Sequence, residues 1–436
     1  MRYTCASAHV NITPIEPIPL AGFGARTQAW QAVASPLEAN AILLSDDRTR
    51  VLFVSADLLY FGARLASVLE RHAEKFGIAA ECLILSASHT HFAPAAERTK
   101  SLLGAYDEEF NRFLEKQLIH LIDTVMSTAV KEVTVRASRA ATDLNINRRR
   151  RWLLPTLTRK GLRMPPNVVR APTPDGPMDS FIDALQFLDA GGKAIGAVWK
   201  FASHPVNFPE RLCVSAEFPG RVRSRLRQLF GNDTPIVFWQ GFAGDVRPRL
   251  SGKPSWKDRI RALRAGPSFV AVSIDQWQEW SDRVADALIS ALRDGGYRAL
   301  SGELSISSTG VPLSLLLDED ANPQIRNKSM LIQRLAFGED IVVLFFGAEV
   351  CSPYLQMLGA DARTICVGYT GDVFGYLPSE GQVREGGYEG GDFLSQFGLV
   401  GPMRAGFERA VLEAVRRLGG FSPAVAQSDR QPPTVL

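Results

Sequence analysis

A layered α/β fold is expected from three features of this 436-residue chain. Short apolar runs of strand length recur without polar alternation. Apolar residues at helical spacing lie between some of them. Polar clusters follow directly on the runs. The runs are Val51-Leu52-Phe53-Val54-Ser55, Cys82-Leu83-Ile84-Leu85-Ser86, Ala194-Ile195-Gly196-Ala197-Val198-Trp199, Ile236-Val237-Phe238-Trp239, Ile341-Val342-Val343-Leu344-Phe345-Phe346 and Thr364-Ile365-Cys366-Val367. Most are rich in β-branched or aromatic residues, as strands covered on both faces are.

Helical spacing is clearest over 107–127, through Phe110, Phe113, Leu114, Leu118, Ile119 and Ile122. Residues 402–418 read similarly and stop at Gly419-Gly420. Residues 219–230 carry Val222, Leu226, Leu229 and Phe230 on one face. Strands alternating with such helices predict mixed β-sheets covered by helices, with an active site at the carboxyl ends of the strands. The stretches 148–180 and 251–267 have little periodicity and read as long loops. No linker or repeat divides the chain, so one catalytic domain over 1–420 is expected, with a poorly ordered tail at 421–436.

Composition sets limits on function. Hydrophobic residues make up 46% and charged residues 22%, enough for an ordinary large core. Lys plus Arg (49) nearly balances Asp plus Glu (46), giving a net charge of +3, which argues against nucleic acid as a partner. The run Arg148-Arg149-Arg150-Arg151 reads either as a solvated loop or as an anion-binding element. The five cysteines have no CxxC pair, so neither a disulfide framework nor a four-cysteine zinc site is expected. No signal-like segment opens the chain, and no apolar run reaches the roughly 18 residues of a membrane span. A cytoplasmic location is the expectation.

The chemistry gathers at the run ends. They lead into Asp57, into Ser88-His89-Thr90-His91, into Ser203-His204-Pro205-Val206-Asn207, into Gly241-Phe242-Ala243-Gly244-Asp245, into Gly347-Ala348-Glu349, and finally toward Gly371-Asp372-Val373-Phe374-Gly375-Tyr376. Only six histidines occur. His72 and His120 fall in helical stretches and His9 on a first strand, so these read as structural or surface groups. His89, His91 and His204 stand at strand ends, with Glu349 at a third. Two imidazoles and a carboxylate that leave a coordination position open are a set used by catalytic zinc.

Taken together, these residues resemble the catalytic domain of the neutral (non-lysosomal) ceramidase superfamily. The matching segments occur in the family's order from about residue 8 to 418. They are Asn11-Ile12-Thr13-Pro14 with Ala21-Gly22-Phe23-Gly24-Ala25-Arg26, then Ser86 to Pro94 (SASHTHFAP), Asn145-Ile146-Asn147-Arg148 and Ser203-His204-Pro205. Gln240 to Pro248 (QGFAGDVRP) and Tyr376 to Tyr388 complete the series. The resemblance implies a zinc ion held by His89, His204, Glu349 and Tyr376. It implies that His91 is a catalytic partner beside the metal, and that Arg148 and Tyr388 line the pocket and polarise the scissile group. Asp245 either orients a histidine or caps a turn after Gly244.

One position departs from the family pattern. Where a serine is expected after Gly244-Asp245-Val246, this chain has Arg247. That argues against a serine acyl-enzyme and against ceramide. A guanidinium there suits a carboxylate or phosphate on the substrate, unless Arg247 turns away to pair with an aspartate. The family's C-terminal immunoglobulin-like domain and a secretion signal also lack counterparts. The expectation is a zinc-dependent amidohydrolase that uses a metal-activated water on a small N-acyl substrate. Arg247, Asn207, Gly244 and Asp245 would contact that substrate. An ester, lactone or phosphoester hydrolase on the same site is the near alternative, and a non-catalytic binding protein the distant one.

Overall fold

The computed structural model describes residues 2–24, 26–152, 155–158, 161–163, 167–293 and 297–419. Its main sheet runs, in spatial order, Ile236–Gln240, Ala194–Phe201, Phe181–Leu188, Lys131–Ala141, Tyr3–Asn11, Glu38–Ser45, Arg50–Ala56 and Leu83–Ala87, with Arg298–Leu300 added beside Lys131–Ala141. The strand pairs at its two edges are parallel and the pairs between are antiparallel. A second sheet runs Leu304–Pro312, Ser329–Phe337, Ile341–Phe346, Thr364–Val367, with its last pair parallel.

The unbroken apolar runs are explained by cover on both faces. Phe53, Ile84, Val237 and Trp239 of the main sheet meet Val343, Phe345, Ile365 and Val367 of the second in one buried cluster. Their neighbours along the strands point the other way. Leu52, Val54 and Leu85 pack on Leu65 and Leu69 of helix Ala63–Glu74 and on Leu114 and Leu118 of helix Glu108–Ser127. Ile236 and Phe238 pack on Val222 and Leu226 of helix Glu217–Phe230 and on Val284 and Leu288 of helix Ile274–Arg293. Leu344 and Phe346 pack toward Val411 and Val415 of helix Phe407–Arg417. The result is a helix–sheet–sheet–helix stack with period-2 alternation inside each strand.

The two sheets are stitched together at their carboxyl ends. Gly371 N–H bonds Leu85 O (2.8 Å), Ala87 N–H bonds Tyr369 O (3.1 Å) and Gly368 N–H bonds Gln240 O (2.9 Å). These bonds draw the loops after Leu83–Ala87, Ile236–Gln240 and Thr364–Val367 into one place.

Two expected loops are structured. Within 148–180, Asn145–Trp152 is the middle strand of a small sheet, between Asn167–Thr173 and Val246–Pro248. Arg148 and Arg149 are buried on it rather than solvated, because Glu389 accepts from both, at 2.8 and 3.0 Å. Periodicity could not reveal a strand whose partners lie far along the chain. Within 251–267, Trp256–Ala265 is a helix opened by a Ser255–Asp258 capping box. The tail 421–436 lies outside the described residues. Among the described residues, no helix is long and apolar enough to cross a membrane.

The main sheet also buries a charge. Lys200 is 1% exposed and its ammonium lies 2.6 Å from Asp179 and 2.8 Å from Asp183. Removing the ammonium leaves Asp179 charged and unpaired, while Asp183 keeps Arg139. Lys200→Met is expected to cost about 3–5 kcal/mol of unfolding free energy in urea titrations. A loss under about 1 kcal/mol would show that Asp179 finds another partner.

Candidate metal centre

His89 follows strand Leu83–Ala87 in a left-handed conformation (φ 62°) that L-residues seldom adopt. Its Nδ1 faces the carbonyl of Leu59 at 3.2 Å. His204 follows strand Ala194–Phe201, and its Nδ1 faces the carbonyl of Ala243 at 2.8 Å. A carbonyl can only accept, so each Nδ1 carries the ring hydrogen. Burial pulls the His89 pKa down to about 3 and that of His204 well below the ordinary imidazole value, so both rings are neutral. Each Nε2 is then a bare lone pair, and the two stand 3.1 Å apart.

Glu349 sends one oxygen to the same point. Its Oε2 lies 3.5 Å from the Nε2 atoms of both His89 and His204. Burial raises its pKa to about 7. Tyr376 sits opposite Glu349 in the parallel bridge Glu349–Val350/Tyr376–Leu377, and its hydroxyl is 3.5 Å from His204 Nε2. Zinc ligands at bond lengths near 2.0–2.1 Å and tetrahedral angles stand roughly 3.3–3.4 Å apart. The edges His89–His204, His89–Glu349 and His204–Glu349 fit a cation of that size, and the donor set suits zinc.

His91 forms one such edge. Its Nε2 is 3.2 Å from that of His89, while its ring centroid is 5.6 Å from that of His204. Its imidazole packs on Gly22, where a Cβ would come within 2.4 Å of the ring and where φ is +96°. That contact explains the glycine in the opening motif. Arg148 is buried and donates to Glu389 (2.8 Å), to the Gly244 carbonyl (2.8 Å) and to the Tyr376 hydroxyl (3.2 Å). It stands behind Tyr376. Tyr388 packs edge-on against Tyr376, with centroids 5.4 Å apart, and its hydroxyl donates to Gln396. Burial lifts the Tyr388 phenol to about 12.

The four expected substrate contacts separate into two pairs. Asn207 and Arg247 lie together, the guanidinium donating to the Asn207 amide oxygen, and both line one cavity. Arg247 does not pair with an aspartate. Gly244 and Asp245 are fully buried in the frame instead. A Cβ on Gly244 would lie 2.7 Å from the Glu349 carbonyl, so glycine lets the two segments touch. Asp245 orients no histidine, because its carboxylate is taken up by donors of the frame. It accepts from Ser352 N–H (2.8 Å), Ser352 Oγ (2.7 Å), Asn147 (3.1 Å) and Gln382 (2.8 Å). Asp57, another strand-end carboxylate, is likewise held away from the centre by Arg223 at 2.8 Å.

Sequence reasoning missed two tyrosines. Tyr60 donates to Glu349 Oε1, which leaves Oε2 aimed at the histidines. Tyr369 lies 3.4 Å from Oε2 and stacks 4.4 Å from the His89 ring. Both follow closely on strands already marked by their apolar runs, so strand-end position was the available signal. Glu389, the counter-charge of Arg148, is signalled only by following Tyr388 directly in the last motif. Since Asp245 ties four donors from three distant segments, Asp245→Ala is expected to lose about 3–5 kcal/mol of stability. Thermal unfolding unchanged from wild type would contradict that role.

No protein-family model and no curated protein matches this chain. Solved structures do match. A neutral ceramidase from Pseudomonas aeruginosa superposes with a TM-score of 0.71 at 15% identity, covering 98% of this chain and 77% of that one. A ceramidase complexed with C2 superposes at 0.70 and 16% identity, with the same coverages. Over nearly its whole length, then, this chain has the neutral ceramidase fold.

Proposed function

We propose that this chain is a zinc-dependent hydrolase that cleaves the amide bond of a small N-acyl substrate carrying a carboxylate or phosphate. The observation that carries the reading is the pair of Nε2 lone pairs facing each other at 3.1 Å with a buried carboxylate oxygen beside them. Uncompensated, three electron-rich atoms this close repel one another, and a divalent cation turns that repulsion into ligation.

His89, His204 and Glu349 hold the ion in this reading, with Tyr376 as the fourth group. A bound zinc would lower the pKa of a coordinated water toward neutrality and polarise the substrate carbonyl. The residues around it do the rest. The Leu59 and Ala243 carbonyls fix the tautomers of the two histidines, and Tyr60 fixes the rotation of Glu349. Arg148 holds the Tyr376 hydroxyl. His91, less enclosed than its two neighbours, takes and returns the proton that the leaving amine requires. Tyr388 donates its phenolic hydrogen to the oxygen on which charge develops, exchanging Gln396 for substrate. Arg247 in place of the family's serine supports a hydrolytic water over an acyl-enzyme, and supports an anionic substrate over ceramide. A single catalytic domain over 1–420 belongs to the same reading.

Elemental analysis of the purified protein is expected to give close to one zinc per chain. His204→Ala should lower that to a small fraction, and a chelator should abolish hydrolysis of N-acyl substrates until zinc is returned. Full zinc retention in His204→Ala, or N-acyl hydrolysis indifferent to chelation, would reject the assignment. A substrate panel of N-acyl, ester and phosphoester compounds should be dominated by the N-acyl members.

A further inference from the structure

Several buried or partly buried arginines among the described residues have an acid. Arg148 and Arg149 share Glu389, Arg139 pairs with Asp183, Arg223 with Asp57 and Arg227 with Glu38. Arg247 does not. It follows Val246, whose carbonyl accepts the His204 backbone N–H at 3.2 Å, so its backbone adjoins the segment that carries His204. Its guanidinium lies 4.0 Å from the Phe269 ring centroid and donates to Asn207, while its buried Nε has no partner. Among the described residues, no carboxylate forms an ion pair with Arg247, Arg211, Arg170 or Arg26.

These four cations are gathered around one place. Arg211 and Arg247 line the same cavity of 240 Å³ with Asn207 and Phe269. Arg211 stands 3.9 Å over Phe23, whose ring is 5.0 Å from that of His91. Arg26 donates to the His91 carbonyl at 2.7 Å and to the Arg211 carbonyl at 2.8 Å. Arg170 stands 4.8 Å over Tyr388 on the other side. Burial, then the charges of Arg148, Arg170 and Arg211, pull Arg247 down to about 9. Gathering like charges costs stability, and the nearby Glu217 carboxylate, which accepts from the Asn207 and Phe208 backbone N–H groups, offsets it only in part. An arginine with an unfilled edge, backed by an aromatic face and an amide, is built to accept an oxyanion from outside.

We infer that Arg247, Arg211 and Arg170 form an oxyanion-recognition site beside the metal centre, with Arg247 as the forked contact and the other two as its flanking charges. The inference rests on the hydrolase reading only for the statement that the oxyanion is part of a substrate. The shared chemistry of its ligands is a carboxylate or a phosphate.

The test titrates acetate and inorganic phosphate separately into zinc-loaded protein by calorimetry at low ionic strength. The variants are Arg247→Gln, Arg247→Lys and Arg211→Gln, with zinc content and melting temperature measured in parallel. At least one anion should bind wild type saturably, and the tighter one identifies the group. Arg247→Gln should weaken binding about tenfold or more at unchanged zinc content. Arg247→Lys should restore only part of that, since a single ammonium cannot supply the fork. Arg211→Gln, at an exposed position, should weaken binding by a smaller factor at an unchanged melting temperature. Equal affinity in wild type, Arg247→Gln and Arg211→Gln would place the anion on the metal alone and overturn the site. Failure of both anions to bind wild type would overturn it too. Arginine-dependent binding in a protein that hydrolyses no amide would leave this site standing and reject the hydrolase reading instead.

Discussion

Two carbonyl oxygens organise the centre. Leu59 and Ala243 each take the Nδ1 hydrogen of a buried histidine, and from that follow the neutral tautomers and the inward lone pairs. The rest of the site can be read as support for that arrangement. Tyr60 occupies one oxygen of Glu349 so that the other joins the two nitrogens. Arg148, neutralised by Glu389, holds the hydroxyl of Tyr376. Asp245 ties the segment after Ile236–Gln240 to Ser352, just beyond Glu349, and so holds the two halves in register.

That arrangement depends on two sheets ending in the same place. Each sheet contributes parallel strands whose carboxyl ends point the same way, and three cross-sheet backbone bonds close the gap between them. The sandwich core between the sheets fixes their spacing, and the helices outside cover the faces the core does not use. Glycine is required where segments approach most closely, at Gly22 beneath His91 and at Gly244 against the Glu349 carbonyl. The strain of a left-handed His89 is sustained because bonds at the preceding residue and at its own ring hold it. Ser88 N–H is held by Ala56 O and the His89 ring by Leu59 O.

Much of this was legible in the sequence because the strands are buried on both faces. Continuous apolar runs such as Ile341–Phe346 stand out without any alignment, and the polar residues that end them are the ones the fold brings together. His89, His91, His204, Glu349 and Tyr376 converge as the strand-end argument and the family resemblance implied. What was not legible depends on partners distant in sequence. The run Arg148–Arg151 could not be recognised as part of a strand, because that strand's pairing partners lie at 167–173 and 246–248 and the acids that neutralise the run are Glu385 and Glu389. Asp57 and Asp245 looked like site carboxylates, yet arginine and amide donors from elsewhere claim them. Position at a strand end shows that a residue is near the site. It does not show which way the side chain turns.

The central claim is that the facing nitrogens and the carboxylate exist to hold one divalent cation. Anomalous diffraction from crystals of the purified protein, collected on both sides of the zinc absorption edge, tests it directly. The account predicts one peak, bonded to Nε2 of His89, Nε2 of His204 and Oε2 of Glu349 at about 2.0–2.2 Å. A peak bonded elsewhere, or ordered histidines with no peak after zinc has been supplied, would contradict it.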